Sequence, residues 1–171
     1  AYGSYGSWLP CGYDDRHTSI EGFAHFHEFQ IGGVVTIPTT GELKTLPGTL
    51  EDPDSGYRSR IDKATEVSTP GYYAVTLTDY NIKAEITATT RTGFHRYTFP
   101  QSATSRILFD IGHKQGESAT ITDAEVTYHP ETNEVTGKLS DLCHILPAGR
   151  ENKNLLCRQA GQATANNRNI Y

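Results

Sequence analysis

From residue 34 to about residue 140 the chain is a succession of short runs, each stopped by Gly, Pro, Asn or Asp. The runs are "VVTIPT", "YYAVTLTD", "IKAEITATT", "TGFHRYTF", "RILFDIG", "ATITDAEVTY" and "NEVTGKLS". β-Branched and aromatic side chains suit a pleated, half-buried surface, and the punctuating residues suit reversals, so each run predicts a strand. In "IKAEITATT", Ile82, Ala84, Ile86 and Ala88 share one face while Lys83, Glu85, Thr87 and Thr89 share the other. That alternation is the mark of an antiparallel strand with one face on a core. Tight reversals are predicted at "TDYNIKA" and "HPETNE", and residues 41–56, with Pro47, Asp52, Pro53 and Asp54, read as a loop. The tail "RQAGQATANNRN" also reads as a loop, whereas Ile170 and Tyr171 read as the start of a strand. No segment keeps a 3.6-residue apolar period for three turns. The expected class is all-β with little helix, an antiparallel β-sandwich in preference to a closed barrel.

The 171 residues fit a single domain, 1–171, that can bury a sizeable share of its surface. The apolar fraction is only 36%, but ten tyrosines and six phenylalanines supply core material. A net charge of -5 offers no basic face for nucleic acid. No run approaches the ~20 apolar residues of a membrane-spanning helix, so neither nucleic acid nor membrane is an expected partner. The chain begins at Ala1 and contains no methionine, and its opening lacks a charged segment followed by an apolar one. It reads as processed or as cut from a longer chain. Cys11, Cys143 and Cys157 show no CxxC spacing, which argues against zinc. Cys143 and Cys157 flank a loop containing Pro147 and Gly149. A disulfide across it would accord with an oxidising, extracellular setting, and two buried thiols are the alternative.

The stretch "GFAHFHEFQIGG" raises sharper possibilities. As a strand it would project His25 and His27 side by side, as a shared metal requires. A cupin-like centre also needs a carboxylate a few residues further on, but Gln30 is followed by Ile31 and glycines, and Glu28 faces the other side. His95 or His113 would be distant ligands that nothing in the spacing demands. No GxSxG elbow supports a nucleophile. Asp14, Asp15 and Glu28 nominally supply a carboxylate pair, but they are as well explained by a turn and a polar face. The plain alternative is a strand whose polar face is hydrogen-bonded in the core. Trp8 and Tyr13 stand close by in sequence with Asp15. Aromatic faces beside Asp, His and Gln groups are what a carbohydrate site uses, with rings on sugar C–H faces and polar tips on hydroxyls.

The run "CGYDDRHTSIEGFAHFHEFQIGG" resembles the N-terminal region of the glycoside hydrolase family 92 exo-α-mannosidases, through Gly12, Tyr13, Asp15, Ser19, Ile20, Gly22, Phe23, His25 and His27. The block "YRSRIDKATEVSTPGYYAVTLTDYNIKAEITATTRTGFHRYTFP" is similar to a further continuous block of the family. The resemblance implies a supersandwich-like β-domain that packs on a larger helical catalytic domain downstream, in a secreted (extracellular or periplasmic) enzyme. That enzyme would be calcium-dependent and would invert the anomeric centre as it removes terminal mannose from an α-mannoside glycan. The general acid, general base and calcium ligands would lie in the helical domain, so no catalytic or metal-binding residue is assigned to this chain. Trp8 is the candidate for a tryptophan that shapes the mannose pocket. The Gly-Phe-x-His loop nominates His25, with His27, Glu28 and Gln30 behind it. Ala24 stands where serine is usual and "EFQIGG" replaces a commoner Leu-Ser-Gly-Thr-Gly type of loop, which opens the way to a different linkage or a phosphate-bearing mannoside. "GFHRYTF" reads as a structural, central strand, Phe94, Arg96 and Thr98 alternating with His95, Tyr97 and Phe99. A free-standing carbohydrate-binding β-sandwich is the alternative to the mannosidase reading.

Overall fold

A computed structural model describes residues 15–24, 33–113, 119–143, 151–160 and 169–170. Among them are twelve strands: β1 (Ser19–Ile20), β2 (Phe23–Ala24), β3 (Gly33–Thr39), β4 (Ser59–Thr69), β5 (Tyr72–Leu77), β6 (Ile82–Ala88), β7 (Gly93–Thr98), β8 (Arg106–His113), β9 (Ala119–His129), β10 (Glu134–Cys143), β11 (Glu151–Ala160) and β12 (Asn169–Ile170). One short 3-10 turn, Pro53–Ser55, interrupts the long loop. The strands form a six-stranded sheet in the order β1-β4-β5-β6-β7-β12 and two three-stranded sheets, β2-β3-β8 and β11-β10-β9. Every pairing is antiparallel. The class is all-β and the architecture an antiparallel sandwich.

The core lies between the six-stranded sheet and the β2-β3-β8 sheet. Ile20, Phe23, Ile37, Tyr57, Ile61, Val75, Leu77, Ile82, Ala84, Tyr97 and Phe99 form one buried cluster, with Ile107 and Leu108 of β8 packed against it. β3 is buried along its length from Val34 to Thr39, its two threonines, Thr36 and Thr39, included. Reversals fall where the punctuation places them. Pro70 precedes Gly71, whose φ of +79° suits the β4–β5 turn, and Asn81 and Asn133 take positive φ in the β5–β6 and β9–β10 turns. Gly22 links β1 to β2 with φ +149°, and a Cβ there would sit 2.6 Å from Val35 Cγ1 and 2.8 Å from the Thr36 carbonyl oxygen. That close passage of backbone over β3 sets the position of Phe23.

The end of the core opposite the β5 N-terminus is closed by polar groups bonded to one another, with Arg58 Nε left without a hydrogen-bond partner among the described residues. Arg58, 2% exposed, pairs with Glu21, 5% exposed, and also donates to Ser19 Oγ at 3.2 Å. Tyr57 donates to Asp110 at 2.6 Å, and Tyr80 donates to the Tyr57 carbonyl at 2.9 Å. Burial first, and then the Asp110 carboxylate, push the Tyr57 hydroxyl well above the usual phenol range, so it remains a donor.

Three features depart from expectation. β4, unmarked by any clean alternation, is a full strand of eleven residues. β11 carries strand structure through Arg158, Gln159 and Ala160, the beginning of the tail read as loop. β7 lies next to the terminal β12 rather than at the centre of its sheet. Cys143 and Cys157, read from sequence as either a disulfide or two thiols, both fall on the β10–β11 pair, Cys157 opposite Gly137.

Candidate functional site

The inward residues of β5, β6 and β7 form rows across the sheet. Leu77 is opposite Ile82, Val75 is opposite Ala84 and Ala84 opposite Tyr97, and Tyr73 is opposite Ile86 and Ile86 opposite His95. The first two rows are dry, with Leu77, Val75, Ile82, Ala84 and Tyr97 all at 1% exposure or less. The third row is half-buried, and beyond it Ala88 and Gly93 are exposed. One end of the inner face therefore opens toward solvent, and Tyr73 and His95 give it rings with polar tips.

Phe23, at 2% exposure, is the hub of that end. Its ring stacks on Tyr97 with centroids 6.0 Å apart, meets His95 edge-on at 6.1 Å and lies 6.5 Å from Tyr73. Each contact of this kind adds about 0.5–1.5 kcal/mol to the burial of the rings. Phe23 owes its place to Gly22, so a glycine outside the cluster positions its centre.

β4 supplies the polar flank through an irregularity. Asp62 pairs with Thr76 and Val67 with Ala74, so five residue steps on β4 span two on β5. The extra residues bulge out and re-aim their side chains. Local bonds hold the bulge: Asp62 Oδ1 accepts from the Ala64 amide at 3.0 Å, Thr65 donates to the Asp62 carbonyl at 2.8 Å, and Thr65 Oγ1 accepts from the Thr76 amide at 2.9 Å. Within it, Lys63 pairs with Glu66 and with Asp15 Oδ1, the latter at 3.1 Å. Tyr73 donates to Glu66 Oε1 at 2.8 Å. A continuous line thus runs from Asp15 through Lys63, Glu66 and Tyr73 to Phe23.

A second polar line runs inward. His95 Nδ1 and Tyr97 Oη lie 2.6 Å apart, Tyr97 Oη and Thr36 Oγ1 3.4 Å, and Thr36 Oγ1 donates to the Phe23 carbonyl at 3.4 Å. Burial pushes the Tyr97 hydroxyl well above its usual range, so it stays protonated. The short 2.6 Å contact joins the His95 ring to Tyr97, and the longer 3.4 Å contact carries the line on to Thr36.

The opposite face of the same strands is different in character. Glu85, 8% exposed, accepts from Arg96 Nε at 2.8 Å, from Arg96 Nη2 at 2.7 Å and from Tyr72 at 2.9 Å. The Arg96 guanidinium holds its carboxyl down to about 2 against the opposing effect of burial. This fully bonded carboxylate staples β5, β6 and β7 together.

Of the residues nominated from sequence, Asp15 is placed on the polar flank, its side chain 83% exposed and paired with Lys63. Trp8, Tyr13, His25, His27, Glu28 and Gln30 lie outside the described residues, as does Cys11. The structure adds Glu66, Tyr73 and His95 to the site. His95 had a usable signal, since the alternation in "GFHRYTF" put it on one face with Tyr97 and Phe99. Tyr73 is marked only as a strand residue, and nothing in "DKATEV" announces a bulge. Among the described residues no group of three or more His, Cys, Asp or Glu side chains is placed to hold a metal.

The geometry can be set beside known proteins. Residues 5–143 match the model of the glycosyl hydrolase family 92 N-terminal domain. Two structures of a family 92 α-mannosidase from Bacteroides thetaiotaomicron are similar to this chain. One is in complex with mannoimidazole, and both are 36% identical over 76% of this chain with a TM-score of 0.66. The matched part is 17% and 18% of those chains, so the present chain spans less than a fifth of the length of the solved enzymes it matches. No curated protein matches it. With the family model covering most of the residues, the chain belongs to the N-terminal domain family of the family 92 glycosyl hydrolases.

Proposed function

We propose that this chain is the N-terminal β-sandwich domain of a secreted, calcium-dependent exo-α-mannosidase that inverts the anomeric centre. Its open sheet end forms part of the wall of the mannoside pocket. The observation that carries the reading is the 36% identity, over 76% of the chain, to an α-mannosidase whose structure holds mannoimidazole. The character of the open end supports it: the half-buried Tyr73 and His95 set rings beside polar tips, which suits the two kinds of surface on a sugar.

Inversion needs an acid at the glycosidic oxygen and a base-activated water on the opposite side, with room between them. In this reading both groups belong to a helical catalytic domain. Calcium bound in that domain, on ligands supplied by the helical domain, would polarise the substrate. The β-domain acts by holding the mannose ring in one orientation and by excluding water, and such positioning is worth several kcal/mol of barrier. Trp8 and His25 are proposed for the same wall.

The test uses the enzyme that carries this domain. Proton NMR of the first product from a p-nitrophenyl α-mannoside should show β-mannose, and chelation of calcium should abolish turnover until calcium is restored. Retention of configuration overturns the inverting mechanism, and activity indifferent to chelation overturns the calcium dependence. Inertness toward α-mannosides, with mannose bound by the β-domain alone, favours the carbohydrate-binding module instead.

A further inference from the structure

We infer that the outer edge of β9 takes up a further strand of the same polypeptide, from beyond residue 171, which extends the β9-β10-β11 sheet and covers its apolar face. The inference rests on the reading of this chain as one domain of a longer enzyme.

β9 is the least covered long strand of the fold. Every residue from Thr122 to Tyr128 is exposed, so both faces of the strand are open, whereas β3 is buried along its length. β9 pairs with β10 on one side, and among the described residues no strand lies on the other. Such an edge presents a row of unpaired N–H and C=O groups, and folded proteins blunt it with lysine, proline, bulges or short length. β9 runs over eleven residues, Ala119–His129, without a lysine, an arginine or a proline. Its one register shift falls at Thr122, and from Asp123 to His129 the ladder with β10 is unbroken. A regular run of backbone donors and acceptors is therefore in place for strand addition.

The face beside that edge suits apolar side chains. Val126 is opposite Gly137 and Tyr128 is opposite Val135. Val126, Val135, Gly137 and Leu139 line an open pocket together with Phe109 and Ile111 of β8. Leu139 is 4% exposed, but Val126 and Tyr128 are left at 46% and 58%. A strand laid on the edge turns every second side chain to this face and covers both.

Two sources could supply the strand, a second copy of the chain or the rest of its own polypeptide. Full antiparallel overlap of two β9 strands, centred on Ala124, sets the exposed Asp123 of each copy opposite the exposed Glu125 of the other. Like charges directly opposite are destabilising, which disfavours the second copy. The matched part is 17% and 18% of the related enzymes, so most of such a polypeptide lies outside this chain. A tethered segment meets the edge at high effective concentration, without recruitment of a partner.

The experiment is hydrogen–deuterium exchange of the full-length enzyme, resolved to single amides along β9. On an open edge only the amides bonded to β10 exchange slowly, and they alternate along the strand. A strand on the far side makes the slow run continuous from Asp123 to Tyr128. That is the expected result, with the outward amides slowed at least about tenfold relative to an open edge, and dilution of the enzyme should leave it unchanged. Val126→Asp supplies a second readout in the same enzyme. On an exposed surface the change leaves the unfolding midpoint nearly untouched, whereas beneath an added strand it should lower the midpoint by several degrees. Alternating protection overturns the inference, as does an unaltered midpoint for Val126→Asp. Protection lost on dilution assigns the edge to a second copy and overturns it as well. Hydrolysis of a p-nitrophenyl α-mannoside is measured alongside: inertness overturns the mannosidase reading, while continuous protection of β9 still upholds the added strand.

Discussion

The same three strands have two unlike ends. Where Leu77 meets Ile82, both side chains are at 0% exposure and the floor below them is closed by the Arg58–Glu21 pair. Where Tyr73, Ile86 and His95 meet, the row is half-buried and most of its side chains carry a hydrogen-bonding tip. The sheet thus separates two tasks along its strand axis. Stability is concentrated at one end, where packing is dry and polar groups are consumed by one another. The other end gives up apolar burial and gains oriented polar atoms next to solvent.

This division can be broken most severely at the closed end. Arg58→Ala removes one partner of a buried pair and strands Glu21 in the interior, so a loss of about 3–5 kcal/mol is expected in the unfolding free energy of the domain. Urea denaturation reads it directly, and a loss below about 1 kcal/mol would mean the floor is wetter than its exposure indicates. Leu77→Ala should follow, at about 2–5 kcal/mol, because the dry row cannot collapse fully around the missing atoms.

A third substitution sharpens the contrast by probing the outer face of the same strands. Glu85 has its carboxyl held down to about 2 by Arg96, against an ordinary value of 4.5. A carboxylate depressed in the folded state contributes its full stability above its unfolded value and loses it as pH falls through the folded one. Glu85→Gln should cost roughly 1–2 kcal/mol at neutral pH. Between pH 4.5 and 2 the difference from the unaltered protein should shrink, as thermal unfolding across that range would show. A constant difference would assign the loss to packing.

The smallest effect on folding is expected at the open end. Tyr73→Phe deletes a half-buried hydroxyl bonded to Glu66 and should cost about 1 kcal/mol or less, while kcat/KM on an α-mannoside falls several-fold. An open-end variant that destabilised as much as Leu77→Ala would erase the proposed separation of tasks.

Much of this was legible in the chain. The alternation in "IKAEITATT" places Ile82, Ala84 and Ile86 inward, as found, and misleads at Ala88, which is exposed at the open end, and at Glu85, which is buried on the outward face because Arg96 and Tyr72 close over it. The turn residues located the reversals because Gly71, Asn81 and Asn133 are needed for their positive φ. β4 was not legible, since its bulge breaks the two-residue period that betrays a strand. The site was read in part for the same reason. Asp15 could be nominated from its neighbours in sequence, whereas Glu66 reaches the open end only through that bulge, and His95 matters because of what lies across the sheet from it.

The bulge in β4 also decouples sequence change from refolding. The ladder is in register on both sides of it, Ile61 with Leu77 and Val67 with Ala74, and its internal bonds use Asp62 and Thr65 rather than every residue it contains. Ala64, which gives the bulge only its backbone amide, is therefore a position where the side chain can be exchanged without shifting β4 on β5. A descendant of this domain can acquire a new preference for its substrate there, one residue at a time, while the strands beneath stay as they are.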